Sequence, residues 1–298
     1  MKKSVYLPLM AAMALCLYSC DFFKKNGGGE ETESADSLTF CTVMYVDSAT
    51  VVDAVVSQNM KVDFPMPEAT GALADSIRAF LAEGIAANYF PMFEEEDSTE
   101  TAFEYNIGEE QEYLDAYARK GMSHMVTELT QMAEDGWAVG YYNDYTASVA
   151  TQTDKFVTYD IVHDIFTGGA HGLFIVHSKT FRKSDGCQMG WNLFDMSKKA
   201  ELVALLKEGV KEYFEVETDE ELEENLQVWD NPDTPENELE YGLPLPSQAP
   251  SVTRDGFSFV YQQYEIACYA AGLPSFTIPF DKIRNCLSQE GLELIGLE

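Results

Sequence analysis

Residues 156–177 read FVTYDIVHDIFTGGAHGLFIVH, two β-rich runs flanking a glycine-rich turn. In the first run Phe156, Thr158 and Asp160 alternate with Val157, Tyr159 and Ile161, the period of an extended chain, so Phe156 to Phe166 is predicted as a strand. Leu173 to Phe181 is predicted as a second, with Phe174, Val176 and Ser178 opposing Leu173, Ile175 and His177. Between them stand Thr167, Gly168, Gly169, Ala170, His171 and Gly172. So many glycines imply backbone at positive φ or another group in close approach. The turn then presents His171 rather than burying it. Two roles stay open: a tight connection whose histidine bonds a neighbouring carbonyl, or a contact to a ligand or partner, since binding residues concentrate on loops held by rigid strands.

Outward from this stretch the chain alternates strand and helix patterns. Leu38 to Val46 and part of Val51 to Phe64 alternate as strands, stopped by Pro65 and Pro67. Leu73, Ile77, Phe80, Leu81 and Ile85 share one helical face. Glu94 to Glu112 holds nine acids and no base, a solvated loop running into a helix start. Tyr113, Tyr117, Met122, Met125, Leu129 and Met132 continue that helix to Asp135-Gly136, with the methionines as core filling. Trp137 to Thr151 is a strand pattern, Thr153-Asp154-Lys155 a turn, and Ser184-Asp185-Gly186 a hairpin turn. Ser197 is the expected cap of a helix bearing Val203, Leu206, Val210 and Tyr213. Glu215 to Glu240 has twelve acids and no base, read as a short helix, Asp219 to Leu226, then an acidic loop. Asp255-Gly256 marks a hairpin, Tyr264-Glu265-Ile266 a turn, Pro274 to Phe280 an extended piece, and Asp281 the cap of a final helix. The fold class expected is α+β: antiparallel sheets packed with a few amphipathic helices in two subdomains, 38–136 and 137–298.

The 298 residues include 51 acids against 19 bases, a net charge of −32. Such a balance argues against nucleic acid and against attraction to anionic lipid; it favours solubility and a basic partner. The N-terminus carries Lys2 and Lys3, then an apolar run, Val5 to Leu17, of signal-peptide length and too short to span a bilayer comfortably. Its end, Leu17-Tyr18-Ser19-Cys20, resembles the lipobox of bacterial lipoproteins, with Tyr18 bulkier than the usual residue. That resemblance implies a signal peptide over 1–19, Cys20 as the lipid-bearing first residue of the mature chain, and firm anchoring by several acyl chains. Residues 20–37, with Gly27-Gly28-Gly29 and a Glu/Ser/Thr run, then form a flexible tether.

No catalytic constellation is legible. A nucleophile elbow, a phosphate-binding loop, a dinucleotide fingerprint and a His-Glu-x-x-His motif are all missing. His124, His163, His171 and His177 include no pair at helical ligand spacing, so neither metal nor cofactor is expected. Carboxylate pairs of the glycosidase type are too numerous in composition to single out. Cys41, Cys187, Cys268 and Cys286 lie in a compartment that permits disulfides, and the sequence does not choose their pairing.

Two motifs resemble one family. Phe166-Thr167-Gly168-Gly169-Ala170-His171-Gly172 looks like the Y-x-G-G-A-H signature of the domain of unknown function in the C-terminal half of RsiV-type anti-sigma factors. Phe257 to Leu287, with its aromatic strand, its Tyr264-Glu265-Ile266 turn and its Ile278-Pro279-Phe280 strand before a helix, looks like the second hallmark. The domain is similar to the non-catalytic part of peptidoglycan deacetylase C, and 38–136 resembles the small domain usually paired with it. The resemblance implies an extracytoplasmic sensing or binding domain; with the lipobox, the address expected is the bacterial cell envelope, lipid-anchored at the outer membrane and either periplasm-facing or at the surface. Thr167, Gly168, Gly169, Ala170, His171, Gly172, Tyr264 and Glu265 are then its motif residues. The ligand implied is a basic, lysozyme-like protein or a peptidoglycan fragment. The cytoplasmic sigma-binding segment and the deacetylase domain have no counterpart here, so neither activity carries over. A peptidoglycan-modifying enzyme and a structural envelope lipoprotein are the alternatives.

Overall fold

The computed structural model describes residues 38–89, 103–137, 139–227 and 242–297. Cys20, the signal segment and the tether lie outside the described residues, as do residues 94–102 and 228–240 of the two acidic stretches. Residues 37–298 form one unit.

A six-stranded sheet runs β1 (Phe40–Val51), β2 (Ala54–Pro65), β3 (Tyr141–Gln152), β4 (Phe156–Phe166), β5 (Leu173–Arg182) and β6 (Gln188–Met189), in that spatial order. A second sheet orders β7 (Ser251–Val252), β8 (Gly256–Val260) and β9 (Ser275–Pro279). Six α-helices accompany them among the described residues: α1 (Ala72–Asn88), α2 (Glu110–Glu134), α3 (Lys199–Phe214), α4 (Asp219–Asn225), α5 (Phe280–Ile283) and α6 (Gln289–Ile295). The fold is α+β. One pairing departs from the antiparallel expectation: β2 and β3 run parallel, Val56 opposite Tyr141 through Val62 opposite Ala147. The cause is the connection between them, which passes through α1 and α2 and returns the chain to the end where it began. Through this pairing segments 38–136 and 137–298 contribute strands to one sheet.

The two faces of the large sheet have different fates. One carries Val56, Gln58, Met60 and Val62 of β2, Tyr141, Asn143, Tyr145 and Ala147 of β3, and Tyr159, Ile161 and His163 of β4. Ile77, Leu81 and Ile85 of α1 and Leu114, Tyr117, Met125 and Leu129 of α2 pack over it. Met122 and Met125 fill core as expected, whereas Met132 is exposed. The opposite face is covered at its β4–β5 end by the small sheet: Thr158 Oγ1 donates to the Val252 carbonyl at 2.8 Å. Beyond lies a second core of Leu202, Val203, Leu206 and Val210 of α3 against Phe257, Phe259 and Ile278.

Two helix starts differ from expectation. Ser197 does not cap α3; its N–H is taken by the Asp195 carboxylate, which caps a short 3-10 turn leading into the helix. Asp281 lies inside α5, and the final helix α6 is capped by Ser288. In both places the chain path sets which side chain reaches a free N–H of the first turn. Cys41, Cys187, Cys268 and Cys286 are free thiols.

Sheet edges are closed by glutamine amides, each mimicking a neighbouring strand. Gln111 of α2 accepts from the Met44 N–H at 3.3 Å and donates to its carbonyl at 2.9 Å. On the other side Gln262 accepts from the Val176 N–H at 3.2 Å and donates to its carbonyl at 2.6 Å. Gln263 accepts from the Phe174 N–H at 3.2 Å. Such caps occupy groups that would otherwise template another chain. The second pair also fixes where the Tyr264 turn sits.

Candidate functional site

The β4–β5 connection has the conformation its glycines require. Gly168 and Gly169 have φ of 94° and 89°, where an L side chain is strained. At Gly172 a Cβ would lie 2.7 Å from the Ile165 carbonyl and 3.1 Å from the Tyr142 hydroxyl, so only glycine lets the turn close on the sheet. His171 is thereby exposed. Its Nδ1 lies 3.0 Å from the Gly172 carbonyl and its Nε2 lies 2.9 Å from the Tyr264 hydroxyl. A carbonyl only accepts, so Nδ1 carries the proton; in the neutral ring Nε2 then accepts from Tyr264. The carbonyl bond expected of a tight connection is present, and the ring also reaches a tyrosine 93 residues away in the chain.

Tyr264 is the other half of the pair. Its φ is 65°, a region a bulky residue seldom enters, and the residue is 57% exposed. The turn is forced from below: one Glu265 oxygen accepts from the Gln262 N–H at 2.6 Å, the other from the Ser247 N–H at 2.5 Å. Burial pushes the Glu265 carboxyl up from the usual range, and those two backbone bonds pull against it. Tyr269 completes the group. Its ring stacks on His171 at 3.7 Å between centroids and 20° between planes, with Tyr264 5.8 Å away.

The sheet supplies a third part, which the motifs do not reveal. Tyr142 on β3 stacks against Phe166 at 6.0 Å and donates from its hydroxyl to Asp164 Oδ1 at 3.1 Å. Burial first, then Asp164, pushes the Tyr142 hydroxyl up to about 12. Asp164 stands directly opposite Asp144 in the β3–β4 register. Burial raises both carboxyls and the neighbouring negative charge raises Asp164 further, while a bond from Tyr142 opposes the shift. Asp144 accepts from Asn59 Nδ2 at 2.5 Å. Among the described residues no lysine or arginine forms an ion pair with either carboxylate. Like charges facing each other across two strands destabilise a sheet, so this pair breaks a local rule without a structural gain. Period 2 places both aspartates on one face; only the register makes them opposite, and no sequence signal gives that register.

Of the motif residues, His171 and Tyr264 meet directly, Glu265 braces the turn, and Gly168, Gly169 and Gly172 shape the loop. Thr167 and Ala170 make no side-chain contact that the geometry requires. The other histidines lie elsewhere. His163 is buried, donating from Nε2 to Asn143 Oδ1 at 2.6 Å. His177 has a buried Nδ1 with no partner. Among the described residues no group of three or more His, Cys, Asp or Glu side chains is arranged to hold a metal ion, and no helix is long and apolar enough to cross a membrane.

Comparison with known proteins agrees with this architecture. Residues 192–281 match the family model described as "Protein of unknown function (DUF3298)", a span holding the Tyr264 turn but not the His171 loop. No curated protein matches the chain. A crystal structure of a DUF3298 family member from Bacteroides fragilis is similar at a TM-score of 0.66 and 19% identity, over 89% of this chain and 99% of that one. A DUF3298 family protein from Pseudomonas aeruginosa is similar at 0.50 and 14%, over 85% and 96%. Residues 192–281 are thus similar to the DUF3298 family model, and the fold of the chain is that of solved DUF3298 proteins.

Proposed function

We propose that the chain is a lipid-anchored cell-envelope protein whose domain binds a ligand without catalysis, on the face formed by His171, Tyr264, Tyr269, Tyr142 and the Asp144–Asp164 pair. The observation that carries this reading is the convergence of the two motifs. A tyrosine in a strained conformation is held outward by a half-buried carboxylate and bonded to the histidine of a remote glycine turn. Backbone strain kept in place by its surroundings is commonest where function uses it. The Leu17 to Cys20 stretch supports the anchor, and anchoring there addresses the protein to the bacterial envelope, at the outer membrane. The −32 charge supports a basic protein of the lysozyme type as ligand, gathered by electrostatic steering.

Binding of the full chain to lysozyme, followed across a salt series, tests this. The expected result is binding at low salt that weakens as salt rises, and that Tyr264→Ala weakens further. No binding at low salt removes the lysozyme version. The opposed carboxylates favour a second reading, an enzyme acting on peptidoglycan. It requires muropeptide turnover that Asp164→Asn abolishes; absence of turnover, or turnover unchanged in that variant, rejects it.

A further inference from the structure

Four features of the face call for a positive charge. Asp144 and Asp164 oppose each other with only neutral donors, Asn59 and Tyr142, as partners. Each carboxylate has about four acceptor sites, and one side-chain bond apiece, from Asn59 and Tyr142, leaves most of them open. Their partial burial means a cation placed between them is screened far less than one on an open surface. Beside them the His171, Tyr264 and Tyr269 rings are grouped within 3.7 to 5.9 Å of one another, and aromatic faces attract a cation through the ring quadrupole. Tyr142 joins the two parts: its hydroxyl is bonded to Asp164 and lies 3.1 Å from where a Cβ on Gly172, the neighbour of His171, would stand.

From this geometry we infer that the face takes one guanidinium or ammonium group, an arginine or lysine side chain of a basic partner, bonded by Asp164 and Asp144 and lying on the His171–Tyr264–Tyr269 rings. The inference rests on the reading of this face as a binding surface and specifies what it binds. A planar guanidinium fits best, because its fork of donors reaches two carboxylates while its flat side stacks on a ring. A neutral sugar would stack on the same rings, yet it gives no reason for two opposed charges. The half-buried acids relieve their mutual repulsion only when a cation arrives, so the pair favours ligand capture at the cost of stability in the empty protein.

The test titrates the full chain with a capped tri-arginine peptide, a capped tri-lysine peptide and neutral chitotriose at low salt, following Tyr and His side-chain resonances. Saturable binding of tri-arginine is expected, weaker for tri-lysine and undetectable for chitotriose. Asp164→Asn and Asp144→Asn, which keep the shape, weaken tri-arginine at least about tenfold, as Tyr264→Ala does by removing the ring. Glu208→Gln on the exposed side of α3 leaves it unchanged. Equal tri-arginine affinity in Asp164→Asn and Glu208→Gln overturns the inference, as does chitotriose binding that ignores the aspartates. The general reading is judged separately: if lysozyme binds the wild type and Asp164→Asn alike, the protein is a binder and this cation site is wrong. If tri-arginine depends on Asp164 while lysozyme does not bind, the site stands and lysozyme is the wrong partner.

Discussion

The two faces of the large sheet both carry polar residues at their centre, and they treat them in opposite ways. Beneath α1 and α2, Gln58, Asn143 and His163 form a closed chain. Asn143 Nδ2 donates to the Asn88 and Tyr89 carbonyls at 3.1 Å, Gln58 Nε2 donates to the Tyr89 carbonyl at 2.9 Å, and His163 donates to Asn143. Every member is buried and partnered, which ties the end of α1 to the sheet. On the other face Asp144 and Asp164 are half-buried, opposed and, among the described residues, without a lysine or arginine partner, near a strained tyrosine. Satisfied buried polarity specifies a fold; polarity that remains unsatisfied at a partly open surface points to a partner.

The contrast can be broken most severely from the closed side. Asn143→Leu leaves His163 without its acceptor and Gln58 Oε1 and the Asn88 carbonyl without their donor, and is expected to cost about 2–4 kcal/mol. The urea midpoint measures it, and an unchanged midpoint would mean the network adds nothing. Acid attacks the same side. Burial holds the His163 and His177 rings down at about 4, with the His177 charge adding to the effect on His163 and Lys179 adding to it on His177. Their folded affinity for protons is below the unfolded one near 6.5. Their cost is therefore absent above that pH and grows as pH falls from 6.5 to 4, on the order of 2–3 kcal/mol per histidine. Asp144, Asp160 and Asp164, all raised by burial, offset part of it in the lower half of that window. Thermal unfolding at pH 7.5 and 5 reads the difference; equal midpoints contradict it.

Smaller effects belong to the open side. Gln262→Ala removes both bonds to Val176 and is expected to cost about 1 kcal/mol while loosening the Tyr264 turn, a loss visible as faster amide exchange at Val176. Tyr264→Gly is expected to leave stability within about 0.5 kcal/mol, because relief of the left-handed backbone offsets the lost bond to His171. A clear loss there would show that the residue is structural. Asp164→Asn is expected to raise stability by about 0.5 kcal/mol, as removal of one of two facing charges should; a fall would mean the pair is bound within the protein.

Much of the fold was legible because its elements are long and periodic. Phe156 to Phe166 has the ends predicted from alternation alone, and β5 exceeds its prediction by one residue, Arg182. The helix predicted from Leu73, Ile77, Leu81 and Ile85 forms with those residues buried or half-buried. The parallel β2–β3 pairing was not legible, since periodicity gives faces and not neighbours. The site was half legible. A glycine turn with a histidine and a Tyr-Glu turn stand out in the chain, and their meeting through His171 and Tyr264 does not. Asp144, Asp164, Tyr142 and Tyr269 carry no local signal at all; they become a group only when register and the Gln262 cap fix three segments against one another.

The central claim is that stability resides on one face and recognition on the other. Its most direct test measures both quantities in Asn143→Leu and Asp164→Asn: unfolding free energy in urea, and lysozyme binding at low salt under conditions where each variant is folded. The account predicts that Asn143→Leu loses at least about 2 kcal/mol and binds as the wild type does, whereas Asp164→Asn keeps its stability and loses binding about tenfold. Loss of binding in Asn143→Leu with full binding in Asp164→Asn would contradict it.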